Sequence, residues 1–454
     1  MADSIWLLLL PTLVVLGTAI VVRSTLPALI AGVVVGHVML DGIGAIDGLA
    51  DSLVRQLQDR SVAWVLLVCG LFGSLIRRLM VAGGVSACGR LVSRSVSSGP
   101  AALLVAWVLG LIVFIDDYLN ALLIGHTMRP VTDRLRVPRE RLAYVVDSTA
   151  APVCLLVPLS TWAVYVAGLL ESTGAAAPGE GMATYVTVIP FALYGWIAVL
   201  IVPLVVSGVL PSWGLMRRAD ERVAAGGDVA PPDSPSADAL PEEEDSGGGL
   251  ADFFVPIGVL VAATVLSGND ALRGVIWAVV AAAVQQIVVR RRTTVAHVAD
   301  EACSGIEAMI PSLVTILLAF VLKDVNDRLH LTARVIDSLS PLLDARLLPA
   351  VAFAGLSMVT FATGSFWGTY AIALPIVLPL AATLGADQTL TIAAVVSAGG
   401  FGSHACFFGD TTVLASQASG CENLAHSWSQ LPYSLLAAAL SLIGFIVLGC
   451  TWAA

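Results

Sequence analysis

The chain has 454 residues, 57% of them hydrophobic and 12% charged, with a mean hydropathy of +0.90. Soluble domains carry about 25% charged residues, so composition excludes a soluble protein; much of the net charge of −10 lies in one segment, and no basic patch suggests nucleic acid. Seven scattered cysteines with no CxxC pair indicate neither a disulfide framework nor a zinc site.

Apolar runs recur at 5–22, 26–40, 62–76, 101–128, 142–170, 185–210, 253–267, 271–289, 305–322, 347–384, 388–418 and 431–452. Several approach the ~20 residues needed to span hydrocarbon. The expected fold is therefore an all-α polytopic membrane protein, with 5–22 as a first span and 41–61 as an amphipathic, interfacial helix. Residues 212–252 differ, with Pro231, Pro232, Pro235 and Pro241, an acidic run Glu242–Asp245 and Gly247–Gly249. This composition predicts a flexible linker between two transmembrane repeats, 1–211 and 253–454.

The two halves resemble each other. Leu142–Thr161 lies against Ile392–Thr411 at an offset of 250, and Phe114–Pro130 against Phe361–Val377 at 247. Arginine clusters at Arg77–Arg94, Arg129–Arg141, Arg217–Arg222 and Arg290–Arg292 mark cytoplasmic segments, which puts the linker in the cytoplasm of a cell-membrane (inner-membrane) protein. With 77–94 and 129–141 on one side, 101–128 must enter and leave by the same face, and it is too short for two spans. This predicts a re-entrant hairpin with Asp116 and Asp117 near its tip, repeated at about 347–378. Each repeat then has about five transmembrane helices plus one hairpin, and the second repeat is inverted.

Ionisable residues at membrane depth mark function by default. Asp116 and Asn120 share a helix face and offer oxygens to a hard cation, and two adjacent carboxylates suit a proton carrier; one Asp could equally cap a broken helix. Asp147, Ser148 and Thr149, followed by Pro152, combine a carboxylate, hydroxyls and freed carbonyls. Thr363 and Ser365 lie in a Gly-rich break that suits carbonyl coordination or close helix packing. Ser403, His404, Asp410, Thr411 and Thr412 form a second interrupted span with two titratable groups. Every basic residue except Lys323 is arginine, and Lys323 either snorkels to the interface or serves as an internal cation.

The stretches FIDDYLNALLIGHTMRPVTDRLRVPRERLAYVVDSTAAPVCLLVPLSTWAVY, TFATGSFWGTYAIALPIVLPLA and GDTTVLASQASGCENLAHSWSQLPYSLL resemble the NhaC-type sodium/proton antiporter family. The resemblance implies an inverted-repeat ion-transporter fold with an elevator-like movement. It also implies a Na⁺ site at Asp116, Asp117, Asp147 and Asp410, with Na⁺ and H⁺ as transported or coupling ions and no cofactor. The chain departs from the family pattern at Ser403, where an acid is common, at Cys406–Gly409, and at Lys323, where a small residue is usual. These changes make the site less negative and leave room for a small organic solute. The expected function is thus a secondary active Na⁺/H⁺ antiporter, not an enzyme; the alternative is a Na⁺- or H⁺-coupled carrier of an organic acid or amino acid. Expected partners are the lipid bilayer, small cations and a second copy of the chain in a homodimer.

Overall fold

A computed structural model describes residues 5–22, 25–114, 116–232, 234, 248–268, 270–291, 293–331, 334, 344–364 and 366–452. Every regular element among them is helical. Seven helices are long and apolar enough to cross a membrane. Two bent pairs, Gly181–Phe191 with Leu193–Val206 and Val295–Pro311 with Leu313–Arg328, bring the number to nine. The chain is an all-α multi-pass membrane protein.

Both expected hairpins are present as helix–break–helix units. In the first, Ser98 caps Gly99–Ile112, the chain breaks, and Asp116 caps Asp117–Arg134. The first arm has 14 residues, about 21 Å at 1.5 Å per residue, short of the ~30 Å hydrocarbon core. The unit folds back on itself: a Cβ on Gly99 would lie 2.8 Å from Val137, which follows the second arm. In the second hairpin, Leu348–Thr363 ends at Gly364, whose φ of +65° favours glycine, and Phe366–Leu384 returns. Ala345 and Pro349 from its start and Gly385 and Ala386 from its end line one pocket, so the two ends of this unit also lie close together.

The internal repeat is clearer in the helix boundaries than in residue identities. Helices begin at Gly99, Asp117, Arg139 and Thr161 in the first half and at Leu348, Phe366, Gln388 and Asp410 in the second, 249 residues later in every case. The sequence offsets of 250 and 247 fall on either side of this value. Boundaries are set by caps and breakers, which survive substitutions that erase identity.

Gln388–Ala405 is the central helix, and every residue from Leu390 to Ala405 is buried. Small residues allow neighbours to approach closely: a Cβ at Gly399 would overlap Tyr370, one at Gly400 would overlap Leu155, and one at Gly402 would overlap Thr360. A second close crossing joins Arg60–Val81 to Val295–Arg328. Ser74 donates to the Ala302 carbonyl at 2.7 Å and Arg78 to the Val298 carbonyl at 3.0 Å, so these helices run antiparallel. At their crossing, Gly73 and Gly305 meet backbone to backbone.

The run 185–210 contains a break at Ile189–Phe191, where Pro190 lacks the N–H that a continuous helix needs. One expectation is corrected. The segment 212–252 is expected to be flexible, yet Gly214–Ala224 is a docked helix. Arg141 reaches Asp220 through two bonds of 2.6 and 2.7 Å, and Arg222 reaches Glu140 through two of 2.9 Å. Paired arginine forks of this kind hold a geometry that composition does not reveal. Residues 233 and 235–247 of the linker, and Ser365 in the second hairpin, lie outside the described residues.

The glycine crossing generates a direct expectation. Gly73→Leu forces the two helices apart and should cost about 2 kcal/mol, read as a lower thermal midpoint of the detergent-purified protein. Substituting Gly168, which has open space around it, should leave the midpoint unchanged.

Candidate functional site

The site is built from helix breaks. Between Ile112 and Asp117 the backbone leaves the helix, freeing carbonyls behind the break and N–H groups ahead of it. Asp116 adopts an extended conformation, and its Oδ1 accepts the Leu119 N–H at 3.1 Å. The capping role weighed for one of the two acids therefore falls to Asp116. Its Oδ2 accepts from the Thr161 hydroxyl at 3.2 Å. Asp117, the next residue, points elsewhere, and its Oδ2 accepts from Thr411 at 2.7 Å. Asp410 accepts from the Tyr118 hydroxyl at 2.6 Å and from the Thr411 N–H at 2.8 Å.

These bonds gather Asp116, Asp117 and Asp410 around the starts of three helices, Asp117–Arg134, Thr161–Ser172 and Asp410–Ser419. None of the three acids is more than 6% exposed. Helix N-termini carry partial positive charge, and with the hydroxyls of Thr161, Thr411 and Tyr118 they compensate the carboxylates. The buried arginines are engaged elsewhere, Arg78 with Glu301 and Arg139 with Asp133. One acceptor stays open: Asp117 Oδ1 is buried with no hydrogen bond, and the Trp162 indole lies beside that carboxylate.

Asn120 holds the break together. Its Nδ2 donates to the carbonyls of Gly110, Val113 and Thr149 at 2.7, 2.8 and 2.9 Å, and its Oδ1 is buried and unbonded. The Thr149 carbonyl is itself freed by the kink at Ala150. Asn120 thus clamps two breaks and still presents one oxygen.

Asp147 belongs to a different cluster. Its Oδ2 accepts from His426 Nε2 at 3.0 Å and from Gln430 Nε2 at 2.7 Å, and its Oδ1 is unbonded. Ser148 bonds His404 Nε2 at 3.0 Å, and the other ring nitrogen of His404 meets the Tyr194 hydroxyl at 2.7 Å. Gln430 also donates to the His404 carbonyl. The four acids expected at one site are therefore three at one site and one at another, joined by Asn120 through Thr149. Among the described residues, no group of three His, Cys, Asp or Glu side chains is arranged to hold a metal ion.

The remaining candidates have supporting positions. The Thr149 hydroxyl bonds back to Val145 and Val146, Thr363 contacts the Thr360 carbonyl at 3.4 Å, and Thr412 donates to the Ser403 carbonyl at 3.1 Å. The Ser403 hydroxyl is buried without a partner. Lys323 pairs with Asp327 at 2.8 Å, one turn along its own helix, and its stem lies over Gly368; it joins neither cluster. Sequence reasoning missed Tyr118, Thr161, Tyr194, His426 and Gln430 as site residues. His426 and Gln430 were open to detection as two polar residues one turn apart entering the last apolar run.

The repeat meets itself at this site. Asp117 bonds Thr411, while Phe366 stacks on Trp162 with ring centroids 3.4 Å apart. Raising the first number of one pair by 249 and lowering the second by 249 gives the other pair. Equivalent positions thus make a polar contact on one side and an aromatic contact on the other.

Residues 247–450 match the Na⁺/H⁺ antiporter family. An uncharacterised protein of Haemophilus influenzae is 28% identical, across 99% of this chain and 92% of its own length. Among solved structures, the YdaH transporter of Alcanivorax borkumensis aligns over 89% of this chain and 88% of its own, at 14% identity and a TM-score of 0.38. The matched segment is less than half of the chain; it is similar to Na⁺/H⁺ antiporters, and the apolar helices make the chain a multi-pass membrane protein.

Thr411→Val and Tyr118→Phe each remove the hydroxyl donor to a buried carboxylate. Each should cost about 1–3 kcal/mol, measured as a lower thermal midpoint in detergent. Thr383→Val, at an exposed hydroxyl that bonds only within its own helix, should leave the midpoint unchanged.

Proposed function

We propose that the chain is a secondary active Na⁺/H⁺ antiporter of the NhaC type, built from two inverted repeats and working by alternating access. The observation that carries this reading is the group of three buried carboxylates, Asp116, Asp117 and Asp410, at convergent helix starts, with no basic side chain among the described residues paired to them. Like charges this close repel strongly in a low-dielectric interior. The group is relieved by taking up a cation or a proton. Na⁺ is a hard cation that takes oxygen ligands, and the open Oδ1 of Asp117 lies where such an ion is attracted. Exchange then requires that proton uptake by the protein oppose cation binding at this negative site.

Two features support the inverted arrangement. Contacts that swap partners between equivalent positions, as Asp117–Thr411 and Phe366–Trp162 do, are what a two-fold axis produces. Shifting Arg60–Val81 by 249 residues lands it on the second part of Val295–Arg328, the helix against which it packs antiparallel. Interrupted helices at the interface of such repeats are where secondary transporters place their sites. In this reading the protein lies in the cell membrane, with its arginine-rich turns and the docked Gly214–Ala224 helix facing the cytoplasm.

The test is proton movement in proteoliposomes driven by a Na⁺ gradient with no organic solute present. Wild-type protein should move protons. Asp117→Asn and Asp410→Asn should each lower the rate at least tenfold while still inserting in the membrane. Full activity in both variants would remove the site assignment, and transport appearing only when an organic acid or amino acid is added would favour the coupled-carrier alternative.

A further inference from the structure

The Asp147 cluster has no part in the cation site just described, yet it is buried as deeply. Asp147 and His426 are both fully shielded and share one hydrogen bond of 3.0 Å. Each also keeps an unbonded polar atom, Asp147 Oδ1 and His426 Nδ1, as does Gln430 at Oε1. A buried polar atom without a partner costs about 1–3 kcal/mol. A purely structural Asp–His pair would have those positions filled, as those of the neighbouring His404 are. Both ring nitrogens of His404 are occupied by the hydroxyls of Ser148 and Tyr194, which satisfies a neutral imidazole needing one donor and one acceptor. His404 is therefore a fixed wall of the cluster, and the group with spare proton positions is the pair behind it.

We infer that Asp147 and His426 form a second, separate site that carries the exchanged proton, while the cation is drawn to Asp117 within the negative group of Asp116, Asp117 and Asp410. This inference rests on the cation reading and divides its labour between two places. On loading, one proton adds at Asp147 Oδ1 or His426 Nδ1; on release the same proton leaves, and no other covalent bond changes. Gln430 anchors the pair, donating to Asp147 Oδ2 at 2.7 Å and to the His404 carbonyl. The other titratable groups facing the pair are His404 and Tyr194, with Tyr144 one turn back on the Arg139–Thr149 helix. Among the described residues no Lys or Arg is paired with Asp147, so the charge of the pair is set by its own proton.

The structure also supplies a connection between the two sites. Asn120 lies in the first turn of the helix that Asp117 begins, and its Nδ2 donates to the Thr149 carbonyl at 2.9 Å, two residues beyond Asp147. A cation drawn to Asp117 shifts the turn that carries Asn120, and the clamp passes that shift to the Asp147 helix. Loading one site thereby opposes loading of the other, which is the condition for exchange rather than co-transport.

Two measurements on reconstituted full-length protein separate the sites. Exchange of ²²Na⁺ for unlabelled Na⁺ at equal pH needs only the cation site, whereas Na⁺-driven proton movement needs both. His426→Gln keeps an N–H donor for Asp147 but carries no transferable proton, and Asp147→Asn removes the carboxylate. Both variants should retain Na⁺ self-exchange within about twofold of wild type and lose coupled proton movement at least tenfold. Wild-type coupling in both variants would overturn the proposal. So would parallel loss of both activities in a His426→Gln protein that still purifies as a monodisperse species, because that is the result of a single shared site. Absence of Na⁺ self-exchange in the wild type would instead overturn the cation reading, and this one with it.

Discussion

The structure depends on the cost of holding carboxylates away from water. A charged side chain in a membrane interior is tolerated only where dipoles, hydroxyls or a counter-ion compensate it. Asp116, Asp117 and Asp410 meet this requirement through the starts of broken helices. Each break exposes unpaired N–H groups, and each acid lies at or next to such a start. A broken helix at depth would itself be unacceptable facing lipid. Here the breaks face one another, so the backbone groups freed by one are bonded by side chains of another, as the Gly110, Val113 and Thr149 carbonyls are by Asn120. Acids and breaks are therefore mutually dependent, and neither would persist alone.

This dependence explains the packing around the site. The short first arms, Gly99–Ile112 and Leu348–Thr363, need neighbours on all sides, and the helix Gln388–Ala405, buried from Leu390 onward, provides one through its row of Gly, Ala and Ser. The same small residues bring Tyr370, Leu155 and Thr360 against its backbone. The arginine-rich helix ends are fastened differently. Reciprocal arginine forks between Arg139–Thr149 and Gly214–Ala224 secure the helix that carries Asp147 from outside the apolar core.

The repeat shows how duplicated geometry is divided between roles. Equivalent positions place Asp117 against Thr411 and Phe366 against Trp162. One copy of the contact is polar and charged, and the other is a stack of rings that fills its space. The departures noted at Ser403 and Cys406–Gly409 have a local setting in the same architecture. The Ser403 carbonyl receives Thr412, and Cys406 and Phe408 lie against Gly364 at the tip of the second hairpin.

By itself the sequence determined the membrane character, the two helix–break–helix units, the duplication and the choice of Asp116, Asp117 and Asp410 as candidates, because each is written in local chemistry. Apolar run length, arginine placement, breakers and acids at depth can all be read without knowing what touches what. Tertiary structure decided which acids share a site. Asp147 resembles the others in sequence, being a carboxylate beside hydroxyls before a proline, yet it bonds His426 and Gln430, 279 and 283 residues away. The docked helix within 212–252 was equally hidden, since its fastening is a matter of where Glu140 and Arg141 lie in space. Partners that distant are chosen by helix packing, and no local pattern records that choice.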